Sequence, residues 1–472
     1  MPIRSAKRAM RTCRFVTGSL MLAAVGACGA NLPSGTPANG GGLERLNHIV
    51  VVVLENWSFD SLYGQFPGAS GLTQAQSAPP QLDVTGVPFQ TLPQTESHLP
   101  QTLSNGPFAL DTYVPSTAAT STDLTNNFYE EQRQIHDGRM DQFVLYDIAA
   151  KGLTMGYYQT TGLPLADEVR DFTLCDHFFH GVFGGSLQNH IFLISAGVAQ
   201  FPNAPTTIKR AVLDDNGAPV TDANGKPQDG PLTPDGYVIG TLYPSATPHP
   251  ANVPPEQLVP PQTFPTIGDR LSEQRIDWAW YAEGWDKTLA NPTDDAGTDS
   301  GTLFQYNHQP FVYFANYNDG APARSHLKDE ADFVAAVRAG NLPSVSFVKP
   351  DGIDNEHPNY TNVINGEVHA RSLIEAIRNG PSWSDTAVIV TYDENGGFWD
   401  HVAPPTADPW GPGTRVPTLV FSPFAKKGFV DSTVYDASSI LALIEHRFHL
   451  LPLGTRDAVA ADLSNAFDFS QP

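Results

Sequence analysis

Two unbroken apolar runs, more than three hundred residues apart, constrain this chain more than anything else in it. The first, His48-Ile49-Val50-Val51-Val52-Val53-Leu54, leads directly into Glu55-Asn56. The second, Thr386-Ala387-Val388-Ile389-Val390-Thr391-Tyr392, leads into Asp393-Glu394-Asn395-Gly396-Gly397. Continuous β-branched runs mark strands covered on both faces, and hence a largely parallel sheet. In open α/β sheets, ligands gather beyond the carboxyl ends of such strands. Glu55, Asn56, Asp393 and Glu394 are therefore expected to converge at one edge. Carboxylates packed together out of water are costly unless neutralised, so the pattern predicts a cation site. Its hard oxygen donors suit Ca²⁺, Mg²⁺ or Mn²⁺, whereas a histidine ligand would move the preference towards Zn²⁺ or Fe.

Further strands are expected at Trp278–Tyr281, Phe311–Phe314, Val345–Val348 and Thr418–Phe421. Between them, Leu373, Ile374 and Ile377 form an apolar helix face that stops at Asn379-Gly380-Pro381. Ile440, Leu443, Ile444 and Phe448 form another, with Asp436 placed to cap it. Alternating strands and helices give an α/β layered fold. Residues 202–261, acidic and rich in Pro and Gly, lack periodicity and read as an insertion draped over the sheet as a cap.

Residues 1–27 have the order of an export signal. Arg4, Lys7, Arg8, Arg11 and Arg14 precede an apolar run from Phe15 to Ala27 that is too short to span a bilayer. Val25-Gly26-Ala27-Cys28 is similar to a lipidation site, which would make Cys28 the anchored first residue. Residues 28–45 read as a flexible tether, with the remaining domain at 46–472. The expected location is outside the cytoplasm, in the periplasm or at the cell surface. Cys175 is left without a partner cysteine and is expected to be a buried hydrophobe. Loss of residues 1–27 takes five positive charges and no acidic one, moving the formal charge from −23 to −28. Nucleic acid is thereby excluded as a partner, because its binding rests on basic patches.

Chemistry enters with Phe183-Gly184-Gly185-Ser186-Leu187-Gln188-Asn189-His190, followed by a helix-like segment. Two glycines allow a tight turn and close approach of a ligand to backbone N–H groups. A cation beside Ser186 would lower the hydroxyl pKa and polarise an incoming phosphoryl group. His308, His326, His357 and His401 each follow an expected strand, on loops where an imidazole could hold phosphate or protonate a leaving oxygen.

Together these motifs resemble one family. Leu54-Glu55-Asn56-Trp57-Ser58-Phe59-Asp60, Gly184-Gly185-Ser186 with Asn189-His190, His308-Gln309-Pro310-Phe311, Asn355-Glu356-His357-Pro358 and Tyr392-Asp393-Glu394 with Asp400-His401-Val402 are similar to the bacterial phosphoesterases. That family contains phosphatidylcholine-type phospholipases C and an acid phosphatase branch. The resemblance implies an alkaline phosphatase-like core, a central mostly parallel sheet between helices with a smaller cap. It implies one divalent metal ion among Glu55, Asn56, Ser186, Asp393 and Glu394, with Ser186 as a nucleophile that carries the phosphoryl group. It implies catalytic roles for His357, His308 and His326, and substrate contacts from Asn126, Asn189, His190 and His401. Asn126 stands where relatives often carry a histidine, which replaces a possible charged contact by a neutral one. The Gly-Gly-Ser wording is closer to the acid phosphatase branch. The expected activity is accordingly phosphomonoester hydrolysis, with phospholipase C-type diester cleavage as the alternative and a non-catalytic phosphate-ester-binding lipoprotein as a third. The substrate would be a small phosphate ester or a phospholipid, met at a membrane if Cys28 is lipidated.

Overall fold

The computed structural model describes residues 42–471 apart from 121, 216, 222–226 and 293–302. The export signal, Cys28 and most of the tether lie outside the described residues. The expected runs form the middle of one eight-stranded sheet: β1 (His48–Leu54), β2 (Thr173–Cys175), β3 (Trp278–Ala282), β4 (Leu327–Asp329), β5 (Val345–Lys349), β6 (Thr386–Tyr392), β7 (Thr418–Phe421) and β8 (Phe429–Asp431). Their order across the sheet is β8-β2-β7-β6-β1-β5-β3-β4, and β7 alone runs against its neighbours. β1 is parallel to β6 on one side and β5 on the other, with Leu54 level with Tyr392. Glu55 and Asp393 thus leave the sheet side by side.

Both faces are covered, as unbroken apolar strands require. The main helices are α1 (Phe128–Ile135), α2 (Pro164–Val169), α3 (Ser186–Ser195), α4 (Ile267–Glu273), α5 (Glu330–Ala339), α6 (Val363–Arg378) and α7 (Ala437–Phe448). α6 packs against α2 and α5, whereas α3 packs against α7 and α4. Successive residues of β6 alternate between these groups. The Tyr392 hydroxyl donates to Glu356 Oε2 at 2.7 Å, while Thr391 and Asp393 border α3 and α7. Asp436 caps α7 by accepting from the Ser438 N–H, and α6 stops at Asn379 as its sequence indicates.

Phe311–Phe314 is not a strand. Pro310 opens a 3-10 turn over Pro310–Tyr313, and the aromatic run is buried against α3. A short apolar run cannot be assigned by periodicity, and proline favours the first position of a helical turn over a ladder. Among its described residues, 202–261 contains one short 3-10 turn, Pro255–Gln257, and otherwise irregular chain with isolated bridges. This segment packs beside α3 and α1: Gln188 Nε2 donates to Ile239 O at 2.9 Å and Arg133 to Pro219 O at 2.5 Å. Cys175 is buried and unpaired. No helix among the described residues is long and apolar enough to cross a membrane.

Candidate active site

Glu55, the first residue beyond β1, is fully buried. Lys349, the last residue of β5, brings its Nζ to 2.6 Å from Glu55 Oε1. His308 Nε2 lies 2.6 Å from the same oxygen, and His357 Nε2 lies 3.7 Å from Oε2. Burial by itself would raise the Glu55 pKa. Lys349, His308 and His357 overcome it and hold this carboxyl well below the usual range. Asp393 and Glu394 go the other way. Burial first, then Glu55 beside Asp393 and Asp393 beside Glu394, push both well above the ordinary value. Asn126 Nδ2 donates to Glu394 Oε1 at 2.5 Å, and the Gly396 N–H donates to Oε2 at 2.5 Å.

The Gly184-Gly185-Ser186 loop ends beside these carboxyls. Gly184 has φ +87°, and a Cβ there would meet the Phe128 backbone nitrogen at 2.6 Å, so both conformation and space demand glycine. Ser186 follows as the first residue of α3, at the positive end of the helix, and its side chain acts on the Asp393 carboxyl, partly offsetting the rise in its pKa. The loop is braced from behind. Asn189 Oδ1 accepts from Val182 N–H at 2.9 Å, and its Nδ2 donates to the carbonyls of Val182 and Gly184, both at 2.9 Å. Glu131, on α1, accepts from the Gly184 N–H at 2.6 Å. The expectation that Asn189 touches substrate is corrected accordingly: its amide is consumed in holding the loop.

Orphaned buried polar atoms test whether these residues fit a metal ion. Both amide atoms of Asn56, Asp393 Oδ2 and His190 Nε2 are buried without a hydrogen-bond partner. Donor atoms of Glu55, His190 and Asp393 lie within 4.8 Å of one another. Glu55, Asp393 and Glu394 carry three negative charges when ionised and Lys349 returns one, so a single divalent cation balances the cluster. The residues fit. Burial, then the nearby Lys349 and His308, push the His190 pKa well below its usual value, which keeps the imidazole neutral.

His308 stacks on His190 with ring centroids 5.5 Å apart, inside the site. His357 sits at its rim, stacked on Tyr360 with its Nδ1 2.6 Å from Pro358 O. His326 is elsewhere, which corrects its expected catalytic position. It precedes β4, at the amino edge of the sheet, stacked on Trp278 at 4.4 Å with Nδ1 2.7 Å from Trp278 O. His401 also misses the cluster, which corrects its expected substrate contact: its Nδ1 is 2.7 Å from Asp60 Oδ2, in a separate network where buried Arg415 binds Asp60 and Asp400. Asn126 reaches the site, against Gly185 and bonded to Glu394. Lys349 escaped the sequence reading, although a charged residue closing the buried run Val345–Val348 was the sign of it.

The family model of the phosphoesterase family matches residues 46–451. Non-hemolytic phospholipase C of Pseudomonas aeruginosa is 27% identical over 479 residues, covering 92% of this chain and 58% of its own length. Phospholipase C A of Mycobacterium tuberculosis is 27% identical over 474 residues, covering 92% of this chain and 79% of its own. The chain thus spans little more than half of the Pseudomonas relative. Among solved structures, a protein in the alkaline phosphatase superfamily from Vibrio parahaemolyticus is 10% identical, covers 73% of each chain and has a TM-score of 0.34. With some four hundred consecutive residues matched, from the strand that carries Glu55 to the end of α7, this chain belongs to the phosphoesterase family.

Proposed function

We propose that the protein hydrolyses phosphodiesters in the manner of a phospholipase C, through a phosphoryl-serine formed on Ser186. The observation that carries this reading is the position of Ser186, first residue of α3 and beside the buried Asp393 carboxyl. The relatives with near-complete coverage of this chain bear the name phospholipase C, which favours the diester over the phosphomonoester. A groove of about 880 Å³ lies between α1 and the irregular segment. Asn127 lines it and is the chain neighbour of Asn126, which reaches the cluster, so the groove would be the place for the second substituent of a diester. The 202–261 segment would serve as a cap through this wall.

Glu55, Asn56, Asp393 and Glu394, with Ser186, would hold one divalent ion, which when bound polarises phosphoryl oxygens and lowers the serine pKa. The chain's own groups do the rest. Asp393 would orient the Ser186 hydroxyl and take its proton as the serine oxygen attacks phosphorus. The bond from phosphorus to the glycerol oxygen breaks, and His357 supplies the leaving oxygen with a proton, burial having pushed the His308 pKa down to about 4. The amino end of α3 and Lys349 stabilise negative charge on the phosphoryl oxygens. Water then attacks the phosphoryl-serine, the Ser186–phosphorus bond breaks and the serine regains its proton. Glu131 and Asn189 hold the loop still throughout. Export through residues 1–27, with a lipid on Cys28, would bring the site to a membrane surface.

The test is single-turnover mass spectrometry with phosphatidylcholine and, separately, a simple phosphomonoester. A phosphoryl adduct on Ser186, loss of about three decades or more of rate in Ser186→Ala, and faster turnover of the diester are expected. Full activity of Ser186→Ala would overturn the mechanism; preference for the monoester would return the reading to a phosphatase, which the Gly184-Gly185-Ser186 wording favours.

A further inference from the structure

We propose that His190 is a ligand of the metal ion, so that the centre has mixed nitrogen and oxygen donors and selects a borderline cation such as Zn²⁺ or Fe²⁺ over Ca²⁺ or Mg²⁺. The inference rests on the metal-dependent reading above and specifies its coordination. Oxygen donors alone, as the strand ends suggest them, would suit a hard cation. The structure places an imidazole among them.

Three observations converge on this residue. His190 lies one helical turn after Ser186, and its Nδ1 is 2.8 Å from the Ser186 carbonyl oxygen. A carbonyl only accepts, so Nδ1 carries the proton and Nε2 keeps its lone pair; fixing a ligating imidazole through its other nitrogen is how proteins orient such ligands. The second observation is that Nε2 is buried and makes no hydrogen bond. A lone pair left unpaired inside a protein is costly unless something occupies it. The third is position: a ring nitrogen of His190 and carboxylate oxygens of Glu55 and Asp393 all lie within 4.8 Å of one another, Nδ1 is 3.7 Å from Asp393 Oδ2, and that oxygen makes no hydrogen bond. His308 stacks on the flat face of the ring. His308 differs in one respect that matters. Its Nε2 is already 2.6 Å from Glu55 Oε1, so that nitrogen is engaged by a carboxylate. Imidazole and carboxylate together are the donors from which Zn²⁺ and Fe²⁺ sites are built, and imidazole adds little to the binding of Ca²⁺.

The test reads coordination directly, without turnover. The full-length protein is stripped and loaded with Mn²⁺, and pulsed electron paramagnetic resonance is used to detect the ¹⁴N coupling of a directly bound imidazole. Wild type is expected to show it, His308→Gln and His357→Gln to retain it, and His190→Gln to lose it. In parallel, chelator competition is expected to give a fall of about tenfold or more in Zn²⁺ affinity for His190→Gln, with Ca²⁺ affinity changed much less. A Mn²⁺-loaded wild type without nitrogen coupling, or coupling that persists in His190→Gln, would overturn the assignment while leaving the metal site standing. Failure of wild type to bind Mn²⁺, Zn²⁺ or Ca²⁺ at all would bring down the metal reading itself. Should His190→Gln fail to fold, wild type and the two other variants still decide, because disappearance of the coupling in either of them assigns it to another ring.

Discussion

The buried carboxylate of Glu55 is held by groups from three separate places in the chain, and the strongest hold is Lys349 at 2.6 Å. A buried ion pair gains little over an apolar substitute, but breaking one by removing a single partner leaves an uncompensated charge. Lys349→Met should therefore cost about 3–5 kcal/mol of stability in metal-free protein, read from urea unfolding. Added divalent ion should recover part of that loss, since it supplies the missing positive charge. A variant as stable as wild type without metal would mean that Glu55 does not depend on this lysine. Lys349→Arg should not restore the native value, because a planar fork does not fit a fully buried ammonium pocket.

Among the elements, the two strand-to-loop junctions matter most, because they bring the oxygen donors that follow β1 and β6 together. Gly396 follows the Asp393-Glu394 pair with φ +61°, and a Cβ there would lie 2.2 Å from the Asn56 carbonyl oxygen. Glycine at this place lets the β6 loop lie directly on the β1 loop. Gly396→Ala should force the two apart and displace the Asn56 amide and the Glu394 carboxyl, which accepts from the Gly396 N–H. The expected outcome is loss of divalent-ion binding by calorimetry with far-ultraviolet circular dichroism unchanged. Undiminished binding would show that the junction tolerates the shift. The junction after Phe183 obeys the same logic, with Gly184 pressed on Phe128 and braced by Glu131 and Asn189.

At the scale of the whole molecule, stability should depend on pH through a buried acidic group on α6. Glu367, on α6, accepts from the Tyr63 hydroxyl at 3.1 Å and from the Leu165 backbone N–H, yet burial outweighs both and pushes its pKa up to about 7. A carboxyl that binds its proton more tightly in the folded state stabilises the fold at acid pH. That contribution is fully present below the usual 4.5 and is lost as pH rises towards about 7. Glu367→Gln keeps an acceptor and removes the ionisation, so its urea midpoint should change less than that of wild type between about pH 5 and pH 8. Equal slopes for the two proteins would show that Glu367 ionises as freely folded as unfolded.

Sequence by itself determined the strands β1 and β6, their depth in a parallel sheet, the serine loop and the oxygen donors at the strand ends. Each of these is a local pattern: an unbroken apolar run, a Gly-Gly turn, a carboxylate where the run stops. The structure alone decided which residues meet. The three-residue strands β2, β4 and β8 are too short to carry a period, and the aromatic run after Pro310 looks like a strand until proline turns it. Four histidines look alike in sequence, but only the sheet's direction sends His308 to the carboxyl edge and leaves His326 at the other. Asn189 and His190 are adjacent on one helix, yet the turn of α3 aims one at the loop behind and the other into the cluster. Such assignments depend on distances between residues far apart in the chain, which no local pattern contains.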